Sequence, residues 1–198
     1  MTSCHGLILA GGLSTRMGTD KAQLRRNQQT MLEYTQSLLH SLDLAMFISG
    51  GESGLPDRVP QAGPLGGIYT VTQQCQLDAP LFDALLIVPV DMPLLTAELL
   101  QNLMRVGEES GTAVCYKDCY LPLYLPISDG LLDYLAQVFT EGSNRPRSIK
   151  KMLSAVGFMQ LPIIDAQRLA NANTPEEWDA IKSLIERVGG GDRSRDAE

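Results

Sequence analysis

Three stretches of this chain carry residues whose types and spacing could do chemistry. The first is the run 9–21, LAGGLSTRMGTDK, directly after an apolar segment Gly6-Leu7-Ile8-Leu9. Gly11, Gly12 and Gly18 let backbone approach a ligand and reach φ angles closed to other residues. Successive exposed N–H groups in such a turn make an anion-binding concavity. Arg16 adds a planar cationic fork and Lys21 a compact point charge. These are the parts needed to hold a nucleoside triphosphate, although the run is neither GxxxxGK[ST] nor GxGxxG.

The second stretch is Val88-Pro89-Val90-Asp91-Met92-Pro93. Asp91 ends the most uniformly apolar run of the chain, 83–90, and so falls where ligands of open α/β sheets bind. A carboxylate in that position is costly unless it is paired or metal-bound. A hard oxygen donor there suits Mg²⁺, which takes one or two protein carboxylates and completes its shell with phosphates and water. A helix N-cap is the competing role for Asp91, but Thr96 supplies a better one.

The third is LANANTPEE, 169–177. Asn171 and Asn173 alternate, so in an extended segment they point the same way. Each offers donor and acceptor together. Thr174-Pro175-Glu176-Glu177 is an ordinary helix start. A basic cluster, Arg145, Arg147, Lys150 and Lys151, is the densest positive patch. It reads equally well as a solvated helix face or as a dock for the phosphate of an anionic second substrate. His5 and His40, the only histidines, lie in no motif.

The elements that must position these residues follow from hydrophobic periodicity. Short apolar strands alternate with helical patterns, which predicts an α/β fold around a largely parallel sheet. Strands are expected at 6–9, 44–49, 83–90, 112–116, 122–125 and 158–161. Helical patterns cover 28–42, 65–75, 96–106, 128–139, 147–156 and a final stretch from Thr174. Thr96 and Ser128 are expected N-caps. Residues 1–188 read as one domain, and GGGDRSRDAE, 189–198, as a disordered tail.

The 198 residues carry a net charge of −7, which argues against nonspecific nucleic-acid binding. No targeting segment and no membrane-spanning run is evident. Four cysteines, at 4, 75, 115 and 119, lack a zinc-type CxxC pair and read as reduced thiols, so a cytoplasmic location is expected.

The run 9–21 resembles the signature of the MobA-like nucleotidyltransferases, roughly LAGG-x-S-x-RMG-x-DK, at nearly every defined position. Gly63-Pro64-Leu65-Gly66-Gly67 is similar to that family's GPLxG segment, and 171–177 to its N-x-NTPEE run. The resemblance implies a Rossmann-like three-layer sandwich of nucleotidyltransferase type. It further implies a guanylyltransferase that uses Mg²⁺ to move GMP from GTP to the terminal phosphate of molybdenum-molybdopterin, releasing pyrophosphate. Catalytic roles would fall to Arg16, Lys21 and Asp91, with Mg²⁺ on Asp91. Nucleotide contacts would fall to Leu9, Ala10, Gly11, Gly12, Lys21, Asp57, Gly63, Gly67 and Asp91, the amides at 10–12 among them. Asn171 and Asn173 would face the pterin, and Arg145 and Arg147 are assigned to the same substrate. Molybdoenzyme apoproteins or their chaperones would receive the product.

Two departures from the family pattern bear on the nucleotide. Ser49-Gly50-Gly51 stands where relatives often carry an asparagine that contacts it, and Asp57 is the only candidate for the acidic residue before GPLxG. LAGG rather than LAAG favours guanylyl over cytidylyl transfer. A cytidylyltransferase, another small-molecule nucleotidyltransferase and a noncatalytic cofactor-delivery protein remain the alternatives.

Overall fold

The structure, a computed structural model, describes residues 3–11, 21–51, 54–77, 82–163 and 165–190. Its strands are β1 (Cys4–Leu9), β2 (Arg25–Arg26), β3 (Gln29–Thr30), β4 (Met46–Ser49), β5 (Ala84–Pro89), β6 (Ala113–Tyr116), β7 (Cys119–Pro126) and β8 (Phe158–Leu161). The helices are α1 (Met31–His40), α2 (Pro64–Leu77), α3 (Ala97–Ser110), α4 (Asp129–Phe139), α5 (Ile149–Val156) and α6 (Pro175–Gly190).

Six strands form one sheet in the order β4-β1-β5-β7-β6-β8. β1 pairs parallel with β4 and β5, and β6 parallel with β8, while β7 runs antiparallel to both β5 and β6. The sheet is therefore mostly parallel, with β7 alone reversed. β5 is apolar at every position because both its faces are covered. Leu85 and Ile87 join a core with α2, α4 and α5, whereas Ala84, Leu86 and Val88 join a second core with α1 and α3. Helices on both faces of one sheet make the expected three-layer sandwich.

Helix α6 closes the structure from outside the two main cores. Its Trp178, Ile181 and Ile185 pack with Met31 at the start of α1 and with Ala172. α1 begins with a full capping box, in which Thr30 accepts from the Glu33 N–H and Glu33 accepts from the Thr30 N–H. Ser128 caps α4 through the Leu131 N–H, as expected.

Several boundaries differ from the sequence reading. The helix expected over 28–42 is shorter, because 25–30 forms a small hairpin turned by Asn27 at φ 55°. Two-residue strands carry too little periodicity to be seen in sequence. Thr96 occupies the N-cap position of α3 but makes no side-chain cap bond, and its hydroxyl is buried without a partner among the described residues. The last helix extends to Gly190, two residues past the expected domain end. The tail expected beyond it, 191–198, lies outside the described residues.

The described cysteines are free thiols. Burial pushes Cys115 up to about 11 and Cys4 up to about 12, so both stay protonated near neutrality. His5 lies against the rings of Phe47 and Phe82, at 5.8 and 5.0 Å between centroids, as a packing residue. No helix among the described residues is long and apolar enough to cross a membrane.

Candidate active site

The carboxyl ends of β1 and β5 lie side by side, with Leu9 opposite Pro89. The Val90 N–H donates to the Leu9 carbonyl at 3.3 Å, extending the pairing one step past both strands. Asp91 therefore emerges beside the glycine turn that follows Leu9. Lys21, at the head of the 3-10 turn Lys21–Gln23, reaches the same place.

Lys21 Nζ donates to Asp91 Oδ2 at 2.9 Å and to Asn173 Oδ1 at 2.7 Å. The two charged side chains are 20% and 17% exposed, so the pair is only partly shielded from water. The other oxygen, Asp91 Oδ1, is buried and has no hydrogen-bond partner among the described residues. A buried carboxylate oxygen with no donor is a position that a hard cation would satisfy. Asp91 fits Mg²⁺ in this respect, supplying one protein carboxylate. No group of three or more acidic, histidine or cysteine residues among the described residues offers a closed cage.

The segment 171–174 is fixed from several directions. The Ala172 N–H donates to the Asp91 carbonyl at 2.8 Å. Glu177 Oε2 accepts from the Asn173 and Thr174 N–H groups at 2.7 and 3.2 Å. Ala172 between the two asparagines is buried, while Asn171 lines the cleft and Asn173 accepts from Lys21.

Two cavities open here. One of about 280 Å³ is lined by Ala10, Lys21, Pro89, Val90, Asp91, Leu121 and Asn171, together with Leu9, Gly11 and Pro64. The other, of about 390 Å³, is lined by Ser49, Asp57, Gln61 and Gly63 and by the same Leu9, Gly11 and Pro64. The shared residues make them two lobes of one cleft. The first lobe holds the Lys21–Asp91 pair. The second holds a carboxylate, a hydroxyl and an amide, with Asp57 Oδ1 accepting from Ser49 Oγ at 2.9 Å.

Most of the expected site residues meet here, with adjustments. Leu9, Ala10 and Gly11 line the cleft, but the Ala10 and Gly11 N–H groups both donate to the Ser49 carbonyl, at 2.9 and 3.2 Å. They are not spare donors for a ligand, so the amide cradle expected at 10–12 is not formed by Ala10 and Gly11. Gly12, Arg16 and Gly18 lie outside the described residues. Gly63, at φ 63° with open space around its α-carbon, lines the second lobe. Gly67 lines neither lobe and is buried in α2. A Cβ there would sit 2.5 Å from Ser49 Oγ and 2.9 Å from Leu9 Cδ2, so its small size lets α2 close on β1 and β4.

Arg145 and Arg147 line neither lobe. β7 ends at the amino edge of the sheet, so α4 climbs and α5 descends, which puts 140–148 at the same end as the cleft. Arg147 lies 5.4 Å over the Phe139 ring, which in turn stacks on Tyr69 at 4.3 Å.

The sequence reading missed Gln61 and Leu121 as lining residues, noted Ser49 only as a departure from the family pattern, and held Pro64 only within the segment 63–67. Leu121 enters because β7 is reversed, which carries its amino end to the carboxyl end of β5. Gln61 leaves a local signal in structure, a φ of 57°, but none in sequence.

A cleft at the carboxyl ends of adjacent parallel strands, lined by Gly11, Lys21 and Asp91, is where open α/β proteins bind their ligands. Residues 6–156 match the family model described as the MobA-like NTP transferase domain. The chain belongs to that family. It is 33% identical over 182 residues to the molybdenum cofactor guanylyltransferase of Xanthomonas euvesicatoria pv. vesicatoria, covering 89% of this chain and 93% of the relative. It is 28% identical over 208 residues to the molybdenum cofactor guanylyltransferase of Sinorhizobium fredii, covering 93% of each. Its fold matches the crystal structure of molybdopterin-guanine dinucleotide biosynthesis protein A from Archaeoglobus fulgidus, with a TM-score of 0.72 at 19% identity over 92% of this chain and 99% of that one.

Proposed function

We propose that this chain is a molybdenum cofactor guanylyltransferase, using GTP and molybdenum-molybdopterin as substrates. The observation that carries the reading is Lys21 held between Asp91 and Asn173. One cation thereby joins the residue suited to a metal–triphosphate to the segment suited to an acceptor. The names of the relatives supply the identity of both substrates.

In the reaction, an oxygen of the acceptor's terminal phosphate attacks the α-phosphorus of GTP. The bond from that phosphorus to the bridging oxygen breaks, and pyrophosphate leaves with the bonding electrons. The protein's part in such a transfer is positioning and charge neutralisation. Lys21, released from Asp91, would pair with triphosphate oxygens, joined by Arg16. Asp91 would hold Mg²⁺, which when bound offsets the charge on the nucleotide and the departing pyrophosphate. The second lobe would take the base and ribose, because Asp57 repels phosphate but accepts from base N–H groups. Asn171 and Asn173 would bind the pterin edge, and Arg145 and Arg147 would add positive charge near the acceptor's approach. The product would pass to molybdoenzyme apoproteins or their chaperones in the cytoplasm.

Pyrophosphate release from GTP in the presence of molybdenum-molybdopterin and Mg²⁺ tests the reading. Guanylylated product is the expected result. A preference for CTP would move the chain to cytidylyl transfer, and binding of both substrates with no pyrophosphate formed would make it a carrier.

A further inference from the structure

We infer that Ser49 is the positioning residue for base selection, acting through Asp57 rather than by touching the nucleotide. The inference rests on the reading above, in which the second lobe takes the base. Ser49 closes β4 and is only 3% exposed. Its carbonyl is fixed by the Ala10 and Gly11 N–H groups. Its hydroxyl is hemmed in by Gly67 and donates to Asp57 Oδ1 at 2.9 Å. Asp57 itself sits in irregular chain between β4 and α2, where no strand or helix fixes its direction. The buried serine is the rigid partner and the loop carboxylate the one being oriented.

The chemistry of that carboxylate selects a base. Guanine presents N1–H and the 2-amino group side by side, two donors that a correctly turned carboxylate accepts together. Adenine and cytosine present one amino group next to a ring acceptor, which a carboxylate repels. The two-donor match depends on carboxylate rotation, and rotation is what the Ser49 hydroxyl holds. Gly50 does something different, since a side chain there would collide with Gly11. Position 50 is therefore closed to any side chain, which leaves Ser49 as the hydroxyl that reaches Asp57.

Binding of Mg²⁺ complexes of GTP, ITP and inorganic triphosphate to the full chain, measured by calorimetry, tests this. ITP lacks the 2-amino donor, and triphosphate lacks a base. Ser49→Ala should weaken GTP about tenfold, the worth of one hydrogen bond to a charged group. ITP should weaken less and triphosphate not at all, so the GTP-to-ITP preference shrinks. Asp57→Asn should abolish that preference, and adding Ser49→Ala to it should cost nothing more. An unchanged GTP-to-ITP ratio in Ser49→Ala, or additive losses in the double variant, would overturn the role of Ser49. Tighter CTP than GTP binding by the unsubstituted chain would instead overturn the functional reading itself.

Discussion

Replacing Lys21 by Met removes the ammonium and keeps the length of the stem. The change strips Asp91 Oδ2 and Asn173 Oδ1 of their shared donor, while Asp91 Oδ1 already has none among the described residues. Breaking a fully buried ion pair costs about 3–5 kcal/mol. Here the partners are 20% and 17% exposed, so water recovers part of the loss and about 2 kcal/mol is expected. For a domain of this size that lowers Tm by about 4–8 °C. The assay is thermal and urea unfolding of Lys21→Met, Asp91→Asn and the double variant. Because Asp91→Asn removes the charge that Lys21 neutralises, the double variant should be less destabilised than the two single losses together. Additivity within about 0.5 kcal/mol would refute the idea that the pair is energetically coupled. A second arm uses Mg²⁺ alone: it should raise the Tm of Lys21→Met more than that of the unsubstituted chain, since no ammonium competes for Asp91.

Asp91→Ala should abolish nucleotidyl transfer while circular dichroism remains that of the folded protein; retained turnover would remove Asp91 from the metal role. Gly50→Ala combines a φ of 78° with overlap onto Gly11. It should cost about 2–4 kcal/mol in urea unfolding, from left-handed strain and crowding together. An unchanged urea midpoint would show that the two glycine turns do not abut. Stability should also fall at alkaline pH. The Cys115 and Cys4 thiols, held protonated by burial up to about 11 and about 12, titrate near 9.0 once unfolded. The folded state then binds more protons above pH 9.0, so the contribution is full below that pH and is lost as pH climbs toward 11. Denaturation midpoints that stay flat across that interval would contradict the burial of these thiols.

What could be read in the sequence was whatever chemistry confines to a short stretch. Asp91 followed from a wholly apolar strand ending in a carboxylate. Lys21 and the asparagine pair came from dense local motifs, and in the fold Asn171 lines the cleft while Asn173 accepts from Lys21. Gln61 and Leu121 were invisible because their roles arise from neighbours distant in the chain, and Ser49 stood out only as a departure from the family pattern. Leu121 reaches the cleft only because β7 is reversed, and no periodicity announces strand direction. Gly67 sits in a ligand-like motif yet serves the approach of α2 to β1 and β4, since a glycine next to a motif looks the same for either purpose. Thr96 has the right residue type and position for a cap yet makes no side-chain cap bond.

The Lys21–Asn173 hydrogen bond spans 152 positions of the chain, and the segment matched by the family model stops at residue 156. A protein cut at that boundary would keep the glycine turn, Asp57 and Asp91. It would lose one of the two partners of Lys21, the donor to the Asp91 carbonyl and the helix that covers Met31. The site is thus completed only by residues beyond that boundary. Until residue 173 has left the ribosome and α6 has docked, the nascent chain exposes a half-built cleft with Asn173 yet to reach Lys21.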